Sequence, residues 1–176
     1  MKSKLWLGAA AVAAHFCVWQ AFASDAPTRI AAAVTGESEV SGEPAGHVAR
    51  GRYLVQVAGC NDCHTPGYAE QAGKVPEQDW LTGDALGWTG PWGTTYPINL
   101  RLFVADLTAG QWLTVTRNAV ARPPMPWFNL HAMSDEDLLA IYHYVRALGP
   151  TGQPAPAYLP PGVAAATPVV RFPGIE

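Results

Sequence analysis

The chain has 176 residues, with eleven Lys and Arg against fourteen Asp and Glu and a formal charge of −3. That acidic balance excludes the electrostatic footprint of a nucleic-acid-binding protein. Three cysteines, Cys17, Cys60 and Cys63, are too few for a disulfide framework, and no internal repeat is visible, so one domain of roughly a hundred residues has to carry the function.

Lys2 and Lys4, an apolar run from Leu5 to Trp19, and Ala21-Phe22-Ala23 have the layout of an export signal with a small-residue cleavage site. Residues 1–23 are therefore expected to be a signal peptide and the protein to be periplasmic. The mature chain then starts at Ser24 with a formal charge of −5, because two lysines leave and no acid does. Uncleaved, the same segment would be a membrane anchor, although His15 and Gln20 interrupt it. Residues 24–46 are small and polar, with Pro27, Gly36, Gly42, Pro44 and Gly46 as breakers, which suits a linker or extended arm.

A domain over residues 47–150 follows. Val48 to Ala58 has helical periodicity, with Val48, Gly51, Val55 and Ala58 on one face. Gly51 weakens such a helix by about 1 kcal/mol relative to Ala, so its position predicts that another element passes close by. The helix delivers Cys60-Asn61-Asp62-Cys63-His64, the C-x-x-C-H signature of covalent haem attachment. Two thiols three residues apart lie on one side of a helical turn, where each can form a thioether to a haem vinyl group, and the adjacent imidazole is held against the iron. A structural zinc site would need a second pair of Cys or His ligands, which the sequence lacks. A thioredoxin-like redox pair would need a β-α-β context, also absent. With Cys17 in the removed segment, both remaining cysteines serve one haem.

Between this motif and the end of the domain lie Trp80, Trp88, Trp92, Tyr96, Trp112, Trp127 and Phe128, expected mostly as haem-pocket packing. Trp92, Tyr96, Asn99 and Arg101 are the candidate donors to the haem propionates. Pro66 or Pro76 is expected to supply the carbonyl that orients the His64 ring. For the second axial position the candidates are Met125, Met133, His131, His143 and His47. Met133 stands just before the helix cap Ser134 and four residues after that cap comes Leu138, the spacing of a hydrophobic staple. His143 lies within a helix among aromatic neighbours. Met125 is embedded in Arg122-Pro123-Pro124-Met125-Pro126-Trp127, a stiff segment poor in backbone donors, and is the selected ligand, with His131 and an open or water-bound position as alternatives.

The last predicted helix has the clearest ends: Ser134 as N-cap, Asp135, Glu136 and Asp137 in the first turn, and Gly149-Pro150 as terminator. Leu138, Ile141, Tyr142, Val145 and Leu148 form its apolar face, at whose edge Tyr144 can meet Gly51. Residues 151–176 carry six prolines, at 154, 156, 160, 161, 168 and 173, and are expected to be an extended tail whose apolar side chains pack on this domain or on a partner.

Several of these segments together resemble a monohaem class I cytochrome c, particularly the cytochrome c domains associated with bacterial periplasmic dehydrogenases. They are Gly51-Arg52-Tyr53-Leu54 before Cys60 to Thr65, Gly90-Pro91-Trp92-Gly93 with Asn99-Leu100, Pro123-Pro124-Met125-Pro126-Trp127, and Met133 to Leu138 running into Tyr144 to Leu148. The resemblance implies an all-α fold around one covalent haem c, His64 and Met125 on its iron, and transfer of one electron at a time without enzymatic turnover of its own. It further implies a periplasmic dehydrogenase as donor and an oxidase or another cytochrome as acceptor, possible within a larger oxidoreductase. The competing expectation is an open-site haem protein that binds a diatomic gas or reduces peroxide. Two departures stand out: Arg101-Leu102-Phe103 replaces the usual Thr-Pro-Asp, and Lys74 is the one lysine beyond residue 23.

Overall fold

The structure, a computed structural model, describes residues 44–172. The expected signal peptide and residues 24–43 of the expected arm lie outside the described residues. Helix α1 spans Pro44–Val57, starting four residues ahead of the predicted Val48. Pro44 and Gly46, taken as breakers in the sequence, belong to its first turn, where a missing N–H costs nothing because it would have had no helical partner. The short helix α2, Cys60–His64, follows after Gly59, whose φ of 71° turns the chain.

Helix α6, Asp135–Leu148, packs along α1. Ser134 caps it by accepting a hydrogen bond from the Asp137 N–H at 3.1 Å, and Gly149 ends it with φ 72°. Leu138, Ile141 and Val145 are buried in the core with Val55 of α1. The contact is tightest at Gly51, where any Cβ would lie on the Ala140 carbonyl and 2.7 Å from Tyr144 Cβ. Beside it, Glu77 accepts hydrogen bonds from Arg52 Nε at 2.8 Å and from the Tyr144 hydroxyl at 2.9 Å.

Two shorter helices precede α6. Helix α3 spans Leu100–Ala105 and α4 spans Ala109–Arg117. Thr108 and Gln111 form a reciprocal capping box at the start of α4, and Trp112 donates from Nε1 to the Leu138 carbonyl at 2.7 Å. Helix α5, Trp127–Ala132, links α4 to α6.

The fold is helical as expected, with one small sheet added to it. Strands β1, Gly87–Gly90, and β2, Gly93–Thr95, form an antiparallel hairpin, and β3, Val169–Arg171, joins β1 in parallel to give the order β2-β1-β3. The turn residues Pro91 and Trp92 and the β-branched Thr89, Thr94 and Thr95 account for the hairpin. β3 comes from the Pro-rich tail. Further along the same hairpin Leu159 pairs with Thr94, through hydrogen bonds of 2.8 and 3.0 Å, and Phe172 packs on Trp92 with ring centroids 5.3 Å apart. The tail is thus built onto this domain by backbone pairing, to which proline runs are no obstacle at strand edges.

Asn99 and Arg101 fasten the end of α6 and the start of the tail. Asn99 caps α3 through its Oδ1 and donates from Nδ2 to the carbonyls of Thr151 and Gln153, at 2.8 and 3.2 Å. Arg101, only 7% exposed, donates from Nε to Gly149 O at 2.5 Å, from Nη1 to Gln78 O at 2.6 Å, and from Nη2 to Leu148 O. It therefore satisfies carbonyls that the end of α6 leaves without helical partners.

Candidate functional site

A cavity of about 630 Å³ opens between α2, α4, the 95–98 segment, the Met125 loop and the tail. Cys60, Cys63 and His64 stand together on its wall, as the motif requires. Burial pushes the Cys60 thiol up to about 11, and burial with the nearby Asp62 carboxylate pushes Cys63 in the same direction. Both are neutral thiols at neutral pH. A reactive thiolate pair calls for the opposite shift.

The His64 ring is oriented from a distance of 34 residues: Nδ1 lies 2.8 Å from the Ile98 carbonyl. A carbonyl can only accept, so Nδ1 carries the proton and Nε2 keeps its lone pair. Burial lowers the pKa of His64, with the Ile98 hydrogen bond opposing it, and the ring stays neutral. Neither Pro66 nor Pro76 does this work; the Pro76 carbonyl accepts from the Asp79 N–H at 2.9 Å. The carbonyl comes instead from the segment beyond β2, a long-range approach that no local pattern announces.

Below the motif, Asn61 and Thr65 lock the turn. Thr65 donates to Asn61 Oδ1 at 2.8 Å and accepts from the Leu81 N–H at 2.8 Å, holding fully buried Leu81 at φ 61°. The Gly83 N–H then donates to the His64 carbonyl at 2.8 Å. Strain at Leu81, of about 1 kcal/mol, is offset by these hydrogen bonds.

Of the five candidates for the second axial position, Met125 and Met133 line the cavity. His131 is exposed and packs on Trp127 with centroids 5.0 Å apart; His143 is exposed and faces His47 at 5.5 Å. Among the four proposed propionate donors, Tyr96 lines the cavity, while Trp92, Asn99 and Arg101 do not. Trp92 meets Phe172 edge to face, and Asn99 Nδ2 and three N–H groups of Arg101 donate to carbonyls. Arg122 is also on its wall, as are Trp88 and residues Ala155 to Tyr158 of the tail.

Neutral thiols beside an imidazole with a free Nε2, on one wall of an apolar cavity, fit a covalently held iron porphyrin, and the thioether side chains on the far segments fit its uncharged faces. A family model described as cytochrome c matches residues 48–149. No curated protein and no solved structure matches the chain. The chain belongs to the cytochrome c family, as a haem-based electron-transfer protein carrying iron-containing haem c covalently at its Cys60-Cys63-His64 motif.

Proposed function

We propose that this protein is a one-electron carrier of the bacterial periplasm, with His64 and Met125 on the iron. It would take electrons from a periplasmic dehydrogenase and pass them to an oxidase or another cytochrome, alone or as the cytochrome subunit of a larger oxidoreductase. The observation that carries this reading is the pairing of a fixed imidazole with methionine in one apolar cavity, which no other histidine among the described residues lines. Haem, when bound, supplies an iron that cycles between ferrous and ferric. The chain's own contribution is to hold the Nε2 lone pair in place through Ile98 and to exclude water with apolar walls. A soft methionine ligand raises the potential. Export is supported by the signal-like layout of residues 1–23.

Carbon monoxide tests the axial ligation. A ferrous haem with both axial positions filled leaves no vacancy, so the reduced protein should keep its spectrum under carbon monoxide. Rapid, stoichiometric conversion would instead support the open-site reading, gas binding or peroxide reduction.

Docking is proposed to be mainly apolar. Phe128 is 60% exposed beside the Met125 loop, Pro126 is exposed, and Arg101 is buried. Arg117 is held by Asp135 at 2.5 Å and by the carbonyls of His131 and Met133. Raising salt shortens the Debye length from about 10 Å at 0.1 M to about 3 Å at 1 M. The rate of electron exchange with the native partner should change little over that range. A tenfold fall would overturn apolar docking and assign association to charge.

A further inference from the structure

Among the described residues Arg122 is the one permanently charged side chain on the cavity wall; the rest are apolar or neutral. Haem carries two propionate carboxylates, and a carboxylate at the edge of an apolar cavity is costly unless a cation or donors meet it. The guanidinium carbon of Arg122 lies 3.7 Å from the centre of the Tyr158 ring. No carboxylate pairs with Arg122 among the described residues. Stacking uses the face of the guanidinium and leaves its in-plane N–H groups free for a carboxylate fork. Tyr158 is itself fixed: its hydroxyl donates to the Trp92 carbonyl at 2.7 Å, and the next residue, Leu159, pairs with Thr94.

We propose that Arg122 binds a haem propionate and that Tyr158, held by the Pro-rich tail, positions it. The tail is then a working part of the haem pocket, a strap whose residues Ala155 to Tyr158 close one side of the cavity while its tyrosine presents the cation. This assignment rests on the haem at Cys60 and Cys63 and adds to it the residue that meets the anionic edge. Asn99 and Arg101 then belong to the fold.

The test uses the exported holoprotein and variants Arg122→Gln, Arg122→Lys and Tyr158→Leu, with Arg146→Gln as a control; Arg146 is a cation off the cavity wall that donates to the Ala105 carbonyl at 2.6 Å. The propionate bending band in the resonance Raman spectrum and the midpoint potential are measured. In Arg122→Gln the band should shift and the potential fall, raising the oxidised-to-reduced ratio several-fold at a fixed solution potential. Arg122→Lys keeps the charge without the planar fork and should shift the band part way. Tyr158→Leu should move band and potential in the same direction, and the double variant with Arg122→Gln should go no further than Arg122→Gln alone, because the two residues act as a unit. An unmoved band in Arg122→Gln, or an equal shift in Arg146→Gln, overturns the proposal. If Arg122→Gln does not accumulate, an unmoved band in both Arg122→Lys and Tyr158→Leu overturns it. The covalent haem spectrum separates this from failure of the haem reading itself, which would leave no haem to measure.

Discussion

Met125→Ala should open the ferrous haem to carbon monoxide and abolish the weak far-red sulfur-to-iron charge-transfer band, and Met133→Ala should do neither. Both thioethers line the cavity, so the backbone around each has to discriminate. Met133 closes α5, with its N–H on the Asn129 carbonyl at 3.2 Å and its own carbonyl accepting from Arg117 at 2.7 Å. It stands immediately before Ser134, with fully buried Leu138 four residues past that cap, and it packs against the core. That is the spacing of a staple, and truncating Met133 should cost about 2 kcal/mol of stability without touching the spectrum. Met125 has no such duty. It lies between prolines in a loop pinned by the Thr95 hydroxyl on the Pro123 carbonyl at 2.8 Å. A thioether bond to iron worth about 3 kcal/mol holds off an external ligand roughly a hundredfold, which is the gain in carbon monoxide affinity expected of Met125→Ala. If the two variants behave in reverse, Met133 is the ligand and the staple argument fails.

What the sequence displays about this protein is what lies close together along the chain. The C-x-x-C-H motif needs one helical turn, and the ends of α6 are marked by Ser134, three acids and Gly149 within the helix itself. Gly51 is an informative exception, since a glycine inside an apolar helical face implies a neighbour without naming it, and Tyr144 and Ala140 turn out to be that neighbour. Helix α4 is likewise marked locally, by the capping-box spacing of Thr108-Ala109-Gly110-Gln111. Contacts between residues far apart in the chain are not displayed in this way. Ile98 reaches His64 across 34 positions, and Arg101 reaches Gly149 across 48. From sequence alone an arginine and an asparagine beside a haem resemble propionate donors; in the fold both donate to backbone carbonyls. Arg122 was legible as a charge but not as a wall residue, because Tyr158, which holds it, lies 36 positions away in the tail. The sheet is hidden for the same reason: β3 pairs with a strand about eighty residues earlier, and strands of three or four residues carry too little periodicity to see.

Gly51→Ala should destabilise the protein even though alanine is the better helix former. Helix propensity alone favours the substitution by about 1 kcal/mol. Against it stands contact: the new methyl would fall on the Ala140 carbonyl oxygen, 2.6 Å from the Ala140 carbonyl carbon and 2.7 Å from Tyr144 Cβ. Two of these three atoms are backbone, so no flexible side chain can swing aside, and α1 and α6 have to separate. Overpacking of this kind costs about 3 kcal/mol or more, which outweighs the propensity gain and lowers the midpoint of thermal unfolding by roughly 10 °C. Thermal unfolding of the holoprotein measures it, and a rise in the midpoint would mean that the two helices do not approach as described. Gly51→Val adds two more methyl groups at the same point and should not accumulate as a folded holoprotein. The consequence reaches the iron, because α1 leads directly into the attachment turn, with the Ala58 N–H bonded to the Leu54 carbonyl at 2.9 Å and Gly59 to Gln56 at 3.2 Å. Moving α1 outward carries Cys60 and His64 with it, so Gly51→Ala should also disturb the haem spectrum of the folded protein, whereas an equally destabilising truncation on the far side of α6, such as Tyr142→Ala, should lower stability and leave that spectrum unchanged.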